Sequence, residues 1–409
     1  MIQEMLPNLT TLEKLISIDR PCEGMLTYDD LIASGSEEEV FTELDDDDVT
    51  ILMFTSGTTG RPKAVPLTHN TFTMYILDNV DPADPEVEEK NLLTVPLYHV
   101  AGIQGMLAAV YGGRTLVLMR QFEIKEWLET VQAEGANRAM LVPTMLKQII
   151  DYPDFSSYDL SSLKVITYGA AAMPFEVIKK AIKTFPGVSF INAFGQTETG
   201  STITTLSPED HVIEGSEEEQ NKKLKRLASS IGKPLPDVEV RIIDEDGNPV
   251  GPNVVGEIVA RGPRIMSGYW QDEEKTAQAF TPDGWLRTSD MGWMDEDGYI
   301  FLTGRADDMI IRGGENISPK EVEEVLVSHP KVADAAVIGV PSEEWGQEPR
   351  AIVVLKEGEK ATEEEIIDFC RSLLAPFKRP RSVIFVDNLS RSTLGKLSRK
   401  QLVEQYGQP

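Results

Sequence analysis

The chain has 409 residues, more than one hydrophobic core usually serves, so two or more domains are expected, and its 41% hydrophobic and 26% charged residues suit a globular protein. With 39 Lys+Arg against 67 Asp+Glu, the formal charge of −28 argues against a general nucleic-acid binder and against docking on an anionic membrane, so an anionic ligand needs local N–H groups or cations. Two distant cysteines, Cys22 and Cys370, suggest no disulfide framework, no apolar run is long enough for a transmembrane segment, no secretory leader is visible, and the expected compartment is cytoplasmic.

Short apolar runs at residues 51–55, 92–95, 115–119, 138–142, 163–167 and 189–193 read as strands. Helical patterns such as 123–134 and 175–185 lie between them. This alternation predicts a buried parallel sheet with helices on its faces, where ligands bind at the carboxyl ends of the strands. The charge-rich stretch 209–226 reads as an exposed, mobile excursion. Residues 238–243, the turn Asp246-Gly247-Asn248-Pro249 and residues 256–261 read as antiparallel hairpin pieces. After Gly304-Arg305 comes a smaller α+β pattern: a helix at 319–328, strands at 333–340 and 351–355, a helix at 363–374 and a strand at 382–386. A domain boundary is expected near Ala306–Asp307.

The sharpest motif is Phe54-Thr55-Ser56-Gly57-Thr58-Thr59-Gly60-Arg61-Pro62-Lys63, directly after an apolar strand. Its glycines let the backbone approach an anion, the hydroxyls of Thr55, Ser56, Thr58 and Thr59 offer donors to phosphate oxygens, and Lys63 supplies charge. The GxxxxGK[ST] spacing is absent, so this is no Walker A loop. The plain alternative is a Ser/Thr-rich surface turn.

The stretch resembles the phosphate loop of the adenylate-forming superfamily, which holds acyl-CoA synthetases, firefly luciferases and peptide-synthetase adenylation domains. Further motifs follow in the family's order along nearly the whole chain. Pro96-Leu97-Tyr98-His99-Val100-Ala101-Gly102 is similar to the segment with the gate beside the acyl pocket. Gly169-Ala170-Ala171-Ala172-Met173-Pro174 resembles the loop that packs on adenine and the acyl group. Asn192-Ala193-Phe194-Gly195-Gln196-Thr197-Glu198 resembles the motif whose ring stacks on adenine and whose Glu holds magnesium, with Phe194 where Tyr is usual. Arg287-Thr288-Ser289-Asp290 is similar to the RTGD segment, with Ser289 in place of Gly, and Asp290 would accept from the ribose hydroxyls. Gly304-Arg305-Ala306-Asp307 resembles the domain hinge, Gly313-Gly314 the loop lining the pantetheine route, and residues 389–399, around Gly395-Lys396, the loop with the catalytic lysine. Alone, His99, Glu198, Asp290 and Lys396 each read more readily as structural or surface residues; their joint order behind a specific phosphate loop decides.

The resemblance implies an α/β fold: a large N-terminal domain over residues 1–306, truncated at its start, with parallel sheets and a small β-barrel part at about 230–303, then a mobile α+β domain over 307–409. It implies an AMP-forming carboxylate–CoA ligase using ATP, Mg²⁺ and CoA, or alternatively an adenylating enzyme that passes its acyl group to a carrier protein. Glu198 is assigned to magnesium, Thr55 to Lys63 to the β/γ-phosphates, Thr197 to the α-phosphate, and Asp290 and Arg305 to the ribose. Lys396 would bridge acid and nucleotide, and rotation about Asp307 would then present Gly313-Gly314 to CoA. Pocket walls at 99–105, 168–173 and 194–200 are apolar or small, which suits a fatty, aromatic or alicyclic acid. A non-catalytic relative is disfavoured by intact Lys63, Glu198, Asp290, Arg305 and Lys396. Outside the resemblance, Lys378, Arg379 and Arg381 read as a solvated basic run, or else as a contact for the CoA phosphates. Family members carry a longer stretch before the phosphate loop, so the chain is expected to be a fragment, or half of a split enzyme with a separate partner chain.

Overall fold

The computed structural model describes residues 5–18, 20–55, 62–389, 391 and 397–408, so Ser56, Gly57, Thr58, Thr59, Gly60 and Lys396 lie outside the described residues. The chain divides into two units, Met1–Asp45 and Asp46–Pro409. In the first, β1 (Ile16–Ser17) pairs in parallel with β2 (Leu26–Thr27). Helix α1 (Tyr28–Ala33) starts at Thr27, whose hydroxyl oxygen accepts from the Asp30 N–H at 3.1 Å. None of this unit's described side chains is buried.

The second unit opens with a hairpin, in which β3 (Val49–Thr55) pairs antiparallel with β4 (Lys63–Thr68), followed by α2 (His69–Asn79). This corrects the expectation that 51–55 belongs to the parallel sheet: among the described residues β3 pairs with β4 alone. Met53, Val65 and Leu67 point inward at strand spacing and pack with Phe72, Val100, Met266 and Leu286. Pro66 is tolerated in β4 because a two-stranded sheet has only edge strands.

The expected parallel sheet follows. β5 (Lys90–Leu93), α3 (Val100–Tyr111), β6 (Thr115–Leu118), α4 (Ile124–Glu134), β7 (Arg138–Leu141), α5 (Pro143–Ile150), β8 (Val165–Gly169), α6 (Phe175–Thr184) and β9 (Ser189–Gln196) alternate along the chain. The strands pair in the order β6-β5-β7-β8-β9, all parallel. Helix α4 shows why these sequences fold so: Glu123 caps its start, Gly135 ends it at φ 65°, and Trp127, Leu128 and Val131 form one apolar stripe. That stripe joins Leu92, Leu141, Ile166 and Phe190 in the main core.

β10 (Ser201–Leu206) then runs antiparallel to β9. After it come α7 (Glu217–Ser229), β11 (Ser230–Pro234), β12 (Glu239–Ile243), β13 (Gly256–Arg261), α8 (Glu273–Ala279), β14 (Leu286–Met294) and β15 (Ile300–Arg305). The path continues β9-β10-β11-β15-β14-β13-β12, so one eleven-stranded sheet joins a parallel half to an antiparallel half. Strands β11 to β15 occupy the region of the expected barrel part. The stretch 209–226 is largely exposed, as expected, but it is anchored at both ends. Asp210 and His211 are buried, Leu227 lies in the main core, and the Arg226 guanidinium sits 3.6 Å from the Tyr299 ring centroid.

A short turn, Ala306–Asp308, leads into the smaller domain. It holds β16 (Ile310–Arg312), β17 (Glu315–Ile317), α9 (Pro319–Val327), β18 (Val332–Ser342), β19 (Gly346–Leu355), α10 (Glu363–Arg371), β20 (Ser382–Phe385) and α11 (Arg399–Tyr406). Its sheet runs β17-β16-β19-β18 with β20 parallel to β19, over a core of Ile317, Val322, Leu326, Val337, Val353 and Ile366. From α11, Arg399 reaches Asp308 at 3.0 Å and Glu323 at 2.6 Å, tying the last helix to the turn.

Candidate functional site

The candidate side chains gather where the parallel strands end, as α/β geometry favours. β8 ends at Gly169, where an added Cβ would lie 2.2 Å from the Ala193 carbonyl oxygen, so only glycine lets the backbones meet. Ala170 follows in the left-handed region at φ 66°, a strained state that tends to mark functional turns. β9 carries Asn192, Ala193, Phe194 and Gly195, and the turn Thr197–Thr199 carries Thr197 and Glu198. That turn is anchored from beneath by Arg264, which donates to the Thr199 carbonyl at 3.1 Å and is itself fully buried against Asp237. Tyr168, just before Gly169, donates to His211 Nε2 at 2.9 Å, while His211 Nδ1–H donates to the Ser207 carbonyl at 2.7 Å. Burial holds the His211 pKa below its ordinary value, so the ring stays neutral and this tautomer fits both bonds.

Two groups of polar side chains meet at the end of β9. In the first, the Thr55 hydroxyl donates to Glu198 Oε1 at 3.4 Å and the Tyr269 hydroxyl donates to the same oxygen at 3.1 Å. Lys63 Nζ donates to the Tyr269 hydroxyl at 3.3 Å and lies 4.7 Å from that ring's centroid. Burial and the Glu198 charge push the Tyr269 pKa up, with Arg305 pulling it partly back. In the second group, Gln196 donates to Asp290 Oδ2 at 2.7 Å and to the Thr288 carbonyl at 2.8 Å. Arg305 lies opposite Asp290 across β14 and β15, with Nη1 at 3.6 Å from Oδ1. Gln196 is two residues from Glu198, so one short segment serves both groups.

Thr55, Lys63, Glu198, Asp290 and Arg305 are thus brought together as expected. His99 stands at the N-cap of α3, its ring 4.7 Å from that of Tyr98. Gly313 and Gly314 form the turn of the β16–β17 hairpin at φ 59° and 87°, with the Gly313 N–H donating to the Trp345 carbonyl at 2.8 Å. The basic run of the smaller domain is partly paired: Lys378 and Arg379 are half-buried and Arg381 is exposed. Lys378 pairs with Glu321 at 2.7 Å, and Arg379 donates to the Leu374 and Arg371 carbonyls at 3.0 Å each, so these two also have partners within the domain. Tyr269 was not foreseen. Its partners lie 206 and 71 positions away, so no local spacing betrays it.

The donor set fits a nucleotide with magnesium. Among the described residues no cluster of three or more His, Cys, Asp or Glu side chains could hold a metal alone. Magnesium held with substrate phosphates needs only one or two carboxylates, and Glu198 supplies one beside the cation Lys63.

The AMP-binding enzyme family profile matches residues 3–270, and the profile of the AMP-binding enzyme C-terminal domain matches residues 321–396. The chain is 36% identical over 419 residues to the mitochondrial medium-chain acyl-CoA ligase ACSF2 of Mus musculus, covering 99% of this chain and 66% of that protein's length. It is 34% identical over 393 residues to the indoleacetate–CoA ligase of Aromatoleum aromaticum, covering 96% of this chain and 74% of that protein. The o-succinylbenzoate coenzyme A synthetase MenE of Bacillus subtilis, in complex with ATP and magnesium ion, superposes with a TM-score of 0.80 at 31% identity over 98% of this chain and 82% of that one. With both profiles matched in order, and with such relatives aligned along nearly all of it, the chain belongs to the AMP-binding enzymes, the adenylate-forming superfamily, in the acyl-CoA synthetase branch.

Proposed function

We propose that the chain activates a carboxylic acid with ATP, giving acyl-AMP and pyrophosphate, and then transfers the acyl group to CoA. The observation that carries this is the meeting of a cation–carboxylate group and a buried ribose-type acceptor, Asp290, at the end of β9. Negative charge grows on the α-phosphate and the departing pyrophosphate as the carboxylate attacks, so donors and cations fixed there lower the barrier. Lys63 and Thr55 serve the β/γ-phosphates, Thr197 the α-phosphate, Asp290 and Arg305 the ribose, and Phe194 the adenine face. Glu198 holds the magnesium, which offsets phosphate charge when bound. Lys396 bridges the acid and the nucleotide in this step. Turning of the smaller domain about Asp307 then exchanges Lys396 for the Gly313-Gly314 loop, where the thiol enters. The names of the relatives as CoA ligases support CoA as the acceptor.

Medium-chain or ring-bearing acids are the proposed substrates. The candidate wall segments near His99 and Gly169 are apolar or small, and each buried CH₂ adds about 0.8 kcal/mol to binding. Pyrophosphate and thioester release across an acid panel, with and without CoA, tests both parts. Larger acids should outpace acetate, and thioester should form only with CoA. Acetate preferred over every larger acid overturns the substrate class, and acid-dependent pyrophosphate release without any thioester overturns CoA as the acceptor.

A further inference from the structure

We infer that Tyr269 is a positioning residue for the metal–phosphate part of the site: its phenol spaces Lys63 from Glu198 and keeps the Glu198 carboxylate available for magnesium. The inference rests on the reading of Glu198 as the metal carboxylate.

Lys63 and Glu198 carry opposite charges a single side chain apart, and attraction would draw them into a direct pair. Such a pair would occupy the two groups that the triphosphate and its ion require. A phenol prevents this because it carries one donor and also accepts. The Tyr269 hydroxyl accepts from Lys63 at 3.3 Å and donates to Glu198 Oε1 at 3.1 Å, so each charge has a neutral partner. Thr55 donates to that same Oε1 at 3.4 Å, and Oε2 receives no hydrogen bond among the described residues. The carboxylate therefore has one oxygen held and one left for an ion.

The backbone that carries the ring is itself fixed. The Tyr269 N–H donates to Thr276 Oγ1 at 2.9 Å, and the next N–H, of Trp270, donates to the Ala64 carbonyl at 2.8 Å, beside Lys63 on β4. Lys63 also rests 4.7 Å from the ring centroid, a second weak hold that a phosphate oxygen outcompetes. A phenol keeps its proton at physiological pH, so Tyr269 remains a donor.

The test is calorimetric titration of MgATP into the full chain as parent, Tyr269→Phe, Glu198→Gln and the double variant. Losing a hydrogen bond to a charged group, and letting Lys63 fall onto Glu198, should weaken MgATP binding by roughly tenfold in Tyr269→Phe. In the Glu198→Gln background Lys63 has no carboxylate to pair with, so adding Tyr269→Phe should change binding by less than about twofold. Unchanged binding in Tyr269→Phe overturns the inference. An equal loss in both backgrounds also overturns it, because that is the mark of a merely structural tyrosine. If Glu198→Gln binds MgATP as tightly as the parent, the functional reading of Glu198 falls first and takes the inference with it.

Discussion

His211 is buried between Tyr168, which donates to its Nε2, and the Ser207 carbonyl, which takes its Nδ1 proton. Burial lowers its pKa and outweighs the opposite pull of that carbonyl and of Asp210. Below its ordinary value of 6.5, the unfolded chain gains a proton that the folded ring refuses, so stability falls as pH drops from there toward the folded pKa. The slope from this one group is at most about 1.36 kcal/mol per pH unit. His211→Gln keeps an acceptor for Tyr168 and removes the titration, so its thermal midpoint should fall less than the parent's between pH 7.5 and 5.5, values chosen to bracket the ordinary pKa. Equal falls would contradict the buried, neutral assignment. At this scale the sequence shows Lys63, Glu198 and Asp290 because each sits in an ordered local motif. Tyr269 and the Gln196 bond to Asp290 are set by folding, which brings residues tens to hundreds of positions apart into contact.

Strand β14 carries one of the two departures from the family's pattern named above. Ser289 stands where glycine is usual and holds a left-handed φ of 58°, directly before Asp290. A side chain in that region costs roughly 1–2 kcal/mol, so Ser289→Gly should be neutral or stabilising by up to about 1 kcal/mol. Ser289→Val adds a β-branched side chain there, and should lower the thermal midpoint and weaken MgATP binding by disturbing Asp290. A valine variant that matches the parent in both measurements would refute this. Among elements, the parallel strands β5 to β9 were legible because alternation with amphipathic helices leaves short apolar runs, buried in all but the edge strand β6. β4 was not, since Pro66 interrupts a short strand that only a hairpin edge admits. Residues 209–226 read as exposed because outward charges dominate the count, while the buried Asp210 and His211, and Leu227 just beyond, anchor the stretch.

Across the whole molecule, one site is proposed to serve two reactions by rotation at the turn Ala306–Asp308. Asp307→Pro fixes φ near about −65° and constrains Ala306, which should block that rotation. Acyl-AMP formation should persist while thioester formation from synthetic acyl-AMP and CoA slows, and Lys396→Ala should show the reverse, with adenylation reduced by about 10²–10³. Comparable loss of both steps in either variant would remove that residue from the alternation. The order of motifs along the chain made this large-scale reading possible, whereas the joining of both strand types into one eleven-stranded sheet is visible only in the fold. The most direct measurement is a rapid-quench mass spectrum of enzyme mixed with MgATP and a medium-chain acid, without CoA. The account predicts acyl-AMP and pyrophosphate in amounts that match the enzyme sites; ADP with an acyl phosphate, or no acid-dependent cleavage of ATP, would contradict it.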